Sequence, residues 1–257
     1  MKVLLADAMN LVRRVYEASV RHPEPSSVEQ IAQSCLSSLQ RGIREVGASH
    51  FLCCFEGGGN TWRHKLYDQY KANREPYPDS LHQTITRTQQ LLVDNGLQHF
   101  QVEELEADDL IASVATQLAQ HNIPTVILST DKDFHQLISP TLVLRHHFDQ
   151  CYRDLSWVQT YYGLAPKQTL DVQALMGDAA DNIPGVPGVG LHNAKKLIQR
   201  FGDLSKLIEF APYIEGKVGI NIRKHKDAVR LSYQLIQLKT DLEFGWNLKQ
   251  IALPRMQ

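Results

Sequence analysis

Three short runs of the chain, Val3 to Ala6, Phe51 to Phe55 and Thr125 to Ser129, are rich in Val, Ile, Leu, Phe or Cys and show no polar alternation. A strand of that kind has no face to offer to water, so other structure must cover it on both sides. Between the runs, Val28 to Val46 and Leu110 to Ala119 repeat apolar residues three and four apart, the period of a helix that buries one stripe. Buried strands alternating with such helices predict an α/β fold: a mostly parallel sheet with helices on both faces. With 257 residues, 43% of them hydrophobic, the chain has enough apolar side chains for a real core. The strand signal fades after about residue 160, where Lys167 to Met176, His192 to Phe201 and Ile222 to Leu238 read as helices of a smaller second domain.

Each apolar run is closed by acid: Asp7 after the first, Glu56 after the second, Asp131 and Asp133 after the third. Ligands of parallel sheets bind outside the carboxyl ends of the strands, so these acids are expected at one edge. Glu106, Asp108 and Asp109 open a further helix, and Asp178 and Asp181 precede a Pro/Gly-rich loop. A helix dipole by itself favours acids at a helix start. It does not explain acids at every strand end together. Nine carboxylates in one place repel one another unless cations neutralise them. An all-oxygen donor set without His or Cys at metal spacing points to Mg²⁺, with Mn²⁺ as a substitute. The number suits two ions and phosphodiester hydrolysis.

The formal charge is −1, from 27 Lys plus Arg against 28 Asp plus Glu. Setting the nine acids aside leaves cations in excess by about eight, the basic footprint that phosphate binding requires. "NIPGVPGVGLHNAKKL" reads as a helix-hairpin-helix, whose backbone N–H groups at the second helix start hold phosphate while Lys195 and Lys196 add charge. "NTWRHKLYDQYKANREPYPDS", residues 60–80, reads as a helix plus flexible loop: Arg63, Lys65, Lys71 and Arg74 offer phosphate contacts, and Trp62, Tyr67, Tyr70 and Tyr77 offer stacking faces. His146-His147 beside Arg145 reads as a solvated strand or loop, and "RKHKDAVR" as an exposed helix face. Four cysteines without a CxxC, and no long apolar segment, predict a soluble, cytoplasmic protein with reduced thiols.

Taken together, "ADAMNLVRR", "WRHKLYDQYKANREPYP", "ELEADDLIASVA", "LSTDKDFHQLISP" and "ALMGDAADNIPGVPGVG" resemble the 5′-nuclease or flap endonuclease family over nearly the whole length. The resemblance implies a PIN-like (resolvase-like) nuclease domain over residues 1–163, with a helical arch at about 60–80, and a helical DNA-binding domain over 164–257. It implies one metal site from Asp7, Glu56, Glu106, Asp108 and Asp131, and another from Asp109, Asp133, Asp178 and Asp181. Lys71 and Arg74 would hold the scissile phosphate. Arg63 and Tyr70 would contact DNA, Tyr70 near the unpaired end. A potassium site would use the carbonyls of Leu175, Met176, Pro184, Val186 and Val189. The DNA-facing turn would be Gly188, Val189, Gly190, Leu191, His192 and Asn193. The implied activity is that of a monomer that cuts 5′ flaps or fork junctions in replication and repair.

The chain departs from the family pattern at two places. Glu56 stands where the pattern has Asp, and His192-Asn193 stands where it has Lys-Thr. Two other functions stay open at this stage: a fork-binding protein with a weakened site, and a ribonuclease of the related PIN type.

Overall fold

The computed structural model describes residues 1–22 and 26–254. Its sheet comprises β1 (Val3–Asp7), β2 (His50–Phe55), β3 (His99–Gln101), β4 (Thr125–Leu128), β5 (Leu142–Arg145) and β6 (Tyr152–Arg153), in the spatial order β3-β2-β1-β4-β5-β6. All neighbours are parallel except β5 and β6. The three apolar runs form its centre. Along them, side chains alternate between two cores. Leu4, Ala6, Phe51, Cys53, Val126 and Leu128 pack under α1 (Ala8–Val20), α2 (Val28–Val46) and α4 (Asp79–Asp94), whereas Val3, Leu5, Leu52, Cys54 and Ile127 pack under α5 (Ala107–Gln120).

The α5 core runs on without a break into the helical part, where α7 (Gln168–Met176) and α8 (Leu191–Phe201) contribute Val172, Leu175, Ala194 and Ile198. Around these lie α6 (Leu155–Tyr162), α9 (Leu204–Phe210), α10 (Gly216–Lys224) and α11 (Lys226–Ile236). The single helix expected over Ile222 to Leu238 is two helices that meet at His225. The bend lets Ile222 on one and Val229 on the other both be buried.

Three short strands escaped the sequence reading, because β3, β5 and β6 carry too few residues to establish a period. His146-His147 also differs from expectation. Arg145 ends a buried strand in an ion pair with Glu45, and His147 is buried, which pushes its pKa down to about 3. All four cysteines are free thiols. Among the described residues no helix is long and apolar enough to cross a membrane.

Candidate active site

Parallel pairing sets Ala6 opposite both Cys53 and Leu128, so the chain leaves β1, β2 and β4 at one level of one edge. A cavity of about 660 Å³ opens there. Six of the nine acids line it: Asp7, Glu56, Asp131 and Asp133 from the strand ends, Asp108 from the first turn of α5, and Asp181 from the loop after α7. Lys71 and Arg74 line it as well.

The carboxylates strain against one another. Burial, with the nearby charges of Asp131 and Glu56, pushes the pKa of Asp7 up to about 7, although Asn10 N–H and the Ser129 hydroxyl both donate to it. Burial, together with neighbouring acids, raises Asp108, Asp131 and Asp133 in the same sense. Added positive charge is the ordinary way such a cluster is relieved, and the donors are hard oxygens, which fits divalent cations of the Mg²⁺ type. Among the described residues no three His, Cys, Asp or Glu side chains converge closely enough to coordinate an ion as they stand. Protein cations hold several of the acids instead. Lys71 Nζ lies 2.6 Å from Glu106 and 3.4 Å from Glu56, Arg74 pairs with Asp181, and Lys132 Nζ lies 2.6 Å from Asp178.

The other three acids of the expected metal sets, Glu106, Asp109 and Asp178, stand outside the cavity lining and are held by protein donors. Glu106 is buried and accepts from Thr61, Tyr70 and Lys71. Despite the burial, the charges of Lys71 and Arg63 hold its pKa at about 2. Asp178 faces Lys132. Asp109 is 0% exposed and has every acceptor position taken: Trp62 Nε1 at 2.7 Å, the two Arg63 nitrogens at 2.8 and 2.9 Å, and Lys239 N at 2.9 Å. In the metal-free protein these contacts make it an anchor in the interior.

Two of the residues expected to contact DNA are buried as well. Arg63 is 1% exposed and spent on Asp109 and the Leu235 carbonyl, and Tyr70 is 4% exposed with its hydroxyl on Glu106. The segment read as a helix plus flexible loop opens with the helix α3 (Trp62–Leu66), and the chain after it docks on the loop after α7. Lys71 N–H donates to Asp181 O, Asn73 to Ala179 O, and Asn182 to Gln69 O. Lys71 itself sits at φ 54°, a left-handed backbone that such contacts must maintain.

At the hairpin, residues 177 to 190 join α7 to α8, and Gly188 takes φ 80°. Gly188, Gly190, His192, Asn193 and Lys196 are exposed; Leu191 and Lys195 are half-buried, Lys195 Nζ donates to Tyr161 O, and Val189 is buried. Met176, Val186 and Val189 border one shallow cavity of about 390 Å³. The carbonyls of Leu175 and Pro184 already accept from Val186 N–H and the Ser232 hydroxyl.

Sequence reasoning missed one wall of the cavity. Asn10, Arg13, Arg14, Glu17 and Arg21 line it from α1 and the residue after it. Their spacing of three and four was the available signal, since it puts them on one face directly behind Asp7. Asn10 also accepts from Thr130 N–H and hydroxyl, which ties α1 to the end of β4.

Residues 2–163 match the 5′-3′ exonuclease N-terminal resolvase-like domain, and residues 164–257 match the 5′-3′ exonuclease C-terminal SAM fold. The chain belongs to the 5′-3′ exonuclease family. It is 33% identical over 255 residues to the flap endonuclease Xni of Aeromonas hydrophila, covering 98% of this chain and 96% of that one. It is 36% identical over 251 residues to that of Vibrio cholerae, covering 97% and 95%. In fold this member of the 5′-3′ exonuclease family is similar to the T5 D15 protein, crystallised with metal ions, at a TM-score of 0.79, 21% identity and coverage of 93% and 90%. It is also similar to the catalytic core of Rad2 in complex with DNA substrate, at a TM-score of 0.62, 17% identity and coverage of 97% and 84%.

Proposed function

We propose that the protein is a structure-specific, Mg²⁺-dependent nuclease that cuts DNA at 5′ flaps, fork junctions or recessed 5′ ends. The observation that carries this reading is the gathering of six carboxylates from β1, β2, β4, α5 and the loop after α7 around one cavity that also holds Lys71 and Arg74. Membership of the family and relatives named flap endonucleases support it. Divalent ions would be held by Asp7, Glu56, Asp108 and Asp131 on one side and by Asp133 and Asp181, with Asp178 behind them, on the other; bound there, they supply charge that activates water and stabilises the phosphate.

The protein's own groups do the positioning. Lys71 and Arg74 stand at the acids with their side chains partly open, so a phosphate entering the cavity exchanges carboxylate contacts for its own oxygens and meets cations already in place. Asp7 and Ser129 fix the end of β1 against the turn that carries Asp131 and Asp133. Glu106 draws Lys71 into register, and Asp109 with Arg63 locks the segment that bears Lys71 to α5. On the hairpin, the turn Gly188 to Asn193 with Lys195 and Lys196 grips duplex backbone, with K⁺ among the Leu175, Met176, Pro184, Val186 and Val189 carbonyls. His192 and Asn193 remove a charged contact there, so the grip leans on backbone N–H groups. The reading extends to Mn²⁺ as a substitute ion and to a monomer acting in the cytoplasm.

The test is cleavage of an end-labelled 5′-flap DNA against matched blunt duplex, with Mg²⁺, with EDTA, and with K⁺ exchanged for Na⁺. Metal-dependent cutting at the junction is expected. Tight fork binding without cutting would overturn the nuclease reading, and Glu56→Asp would then be the first variant to restore cleavage.

A further inference from the structure

The last residues of α11 and the chain just after it form a junction. A helix leaves its final carbonyls without partners inside itself, and backbone groups shielded from water must be paired elsewhere. Here they are paired with elements that each carry part of the site. Leu235 O accepts from Arg63 Nε at 2.7 Å, Ile236 O accepts from Gln136 Nε2 at 3.1 Å, and Lys239 N–H donates to Asp109 at 2.9 Å. One turn earlier, the Ser232 hydroxyl donates to Pro184 O in the Pro/Gly loop. Leu235 and Ile236 also pack with Tyr70 from the segment after α3, Leu170 from α7 and Ile183 from the loop after it.

Among these ties, that of Gln136 has no part in the function so far. Gln136 lies on a 3₁₀ helix, Lys132–Leu137, which Asp131 caps and which contains Asp133. Its amide nitrogen donates to Ile236 O and, at 2.9 Å, to Asp133 O, while Oε1 accepts from Leu238 N–H at 3.2 Å. Two carbonyls facing the nitrogen and a donor facing the oxygen allow one orientation of the amide. The preceding carbonyl, Lys132 O, accepts from the Gln173 nitrogen of α7 at 3.0 Å. Two consecutive carbonyls of the turn are thus fastened to the helical part. Asp131 accepts from Asp133 N–H at 2.9 Å, so the two cavity acids move with the turn as one piece.

We propose that Gln136 is a positioning residue for the cleavage reaction: by tying the turn of Asp131 and Asp133 to the end of α11, it fixes the carboxylate spacing that a divalent ion meets. The tie comes from the same helix that holds the hairpin loop at Pro184, so the part that grips duplex and the part that holds metal share one rigid support. This role rests on the metal-dependent nuclease reading above. Filling space does not require the amide, since a methionine has nearly the same length and volume; what only the amide supplies is the three-way tie. Removing a group that supports metal ligands from behind typically costs roughly 10–100-fold in metal affinity or activity, which sets the scale of the effect.

The test uses the full chain: calorimetric titration with Mn²⁺ in the absence of DNA, and flap cleavage in Mg²⁺, for the wild type, Gln136→Met and Ser113→Ala. Ser113 anchors the same stretch of chain from α5, donating to Lys239 O at 3.1 Å and accepting from Leu242 N–H at 3.2 Å, so its variant reports a loss of structure alone. Expected in Gln136→Met is Mn²⁺ affinity at least tenfold weaker and kcat at least tenfold lower, with KM for DNA within twofold and part of kcat recovered at raised Mg²⁺. Ser113→Ala should melt earlier and keep both Mn²⁺ affinity and kcat within twofold. Gln136→Asn keeps the amide on a stem too short to span all three partners; it should fall between, and it carries the test where melting shows that Gln136→Met does not fold. Wild-type Mn²⁺ affinity and kcat in a folded Gln136 variant would overturn the proposal, as would equal losses in Ser113→Ala. Mn²⁺ binding that depends on Gln136 in a wild type that cuts no flap sinks the nuclease reading alone, whereas flap cleavage indifferent to Gln136 sinks the positioning role alone.

Discussion

Replacing Asp109 by Asn should lower the stability of the metal-free protein, the reverse of what a carboxylate repelled by its neighbours would do. Four donors face Asp109, two of them on the Arg63 guanidinium. An Asn side chain retains one acceptor oxygen and turns an NH₂ group toward donors, so two contacts are lost whichever way it is oriented. Arg63, 1% exposed, then keeps its charge with only Glu106 at 3.6 Å and Asp108 at 3.8 Å nearby. Breaking a buried ion pair by removing one partner costs about 3–5 kcal/mol, and those residual acids place the expected loss near 3 kcal/mol. Against a total of about 5–15 kcal/mol that is a large fraction. Urea unfolding in EDTA should show it as a fall in midpoint of about 1 M or more, for a slope of about 1–3 kcal/mol per M. Arg63→Met should cost a similar amount, and Arg63→Met with Asp109→Leu should cost clearly less than the two losses added together. An Asp109→Asn protein as stable as the wild type or more so would refute the anchor role and return Asp109 to the metal ligands.

Asp7→Asn should behave in the opposite way. Asn preserves the cap on α1, whereas the raised pKa of Asp7 means that the native state binds an extra proton between about pH 4 and pH 7, so metal-free stability falls as pH rises through that window. The variant should be more stable than wild type by roughly 1–3 kcal/mol at pH 8, should show no gain at pH 3, and should not cleave flap DNA. Asp171, 7% exposed, has its pKa pushed by burial to about 6, so Asp171→Asn should stabilise the protein above pH 6 by about 2 kcal/mol with cleavage retained, a result that paired melts at pH 4 and pH 8 would check. A Cβ at Gly185 would meet Met176 O at 2.2 Å and Gly177 N at 2.6 Å, so Gly185→Ala should force the hairpin apart, lowering stability by more than about 2 kcal/mol and weakening duplex binding in a gel-shift titration.

The buried strands could be read from the chain because a period is a local property: "VLLA", "FLCCF" and "TVILS" are apolar at every step, and that suffices to place them inside a doubly covered sheet. The acids that follow them were legible for the same reason, since a parallel sheet sends every strand end to one edge. The fates of those acids were not. Asp108 and Asp109 are adjacent in sequence and identical in chemistry, yet the helical turn of about 100° per residue points one at the carboxylate-lined cavity and the other at Arg63 and Trp62. The interleaved aromatics and cations of residues 60–80 likewise read the same whether they face DNA or the core. Only packing against α5, α11 and the loop after α7 buries Arg63 and Tyr70 while leaving Lys71 and Arg74 at the opening. Composition and spacing determined which residues could carry charge to the sheet edge. Tertiary structure decided which of those charges remain available, because a buried carboxylate or guanidinium must find its counter-charge within the protein.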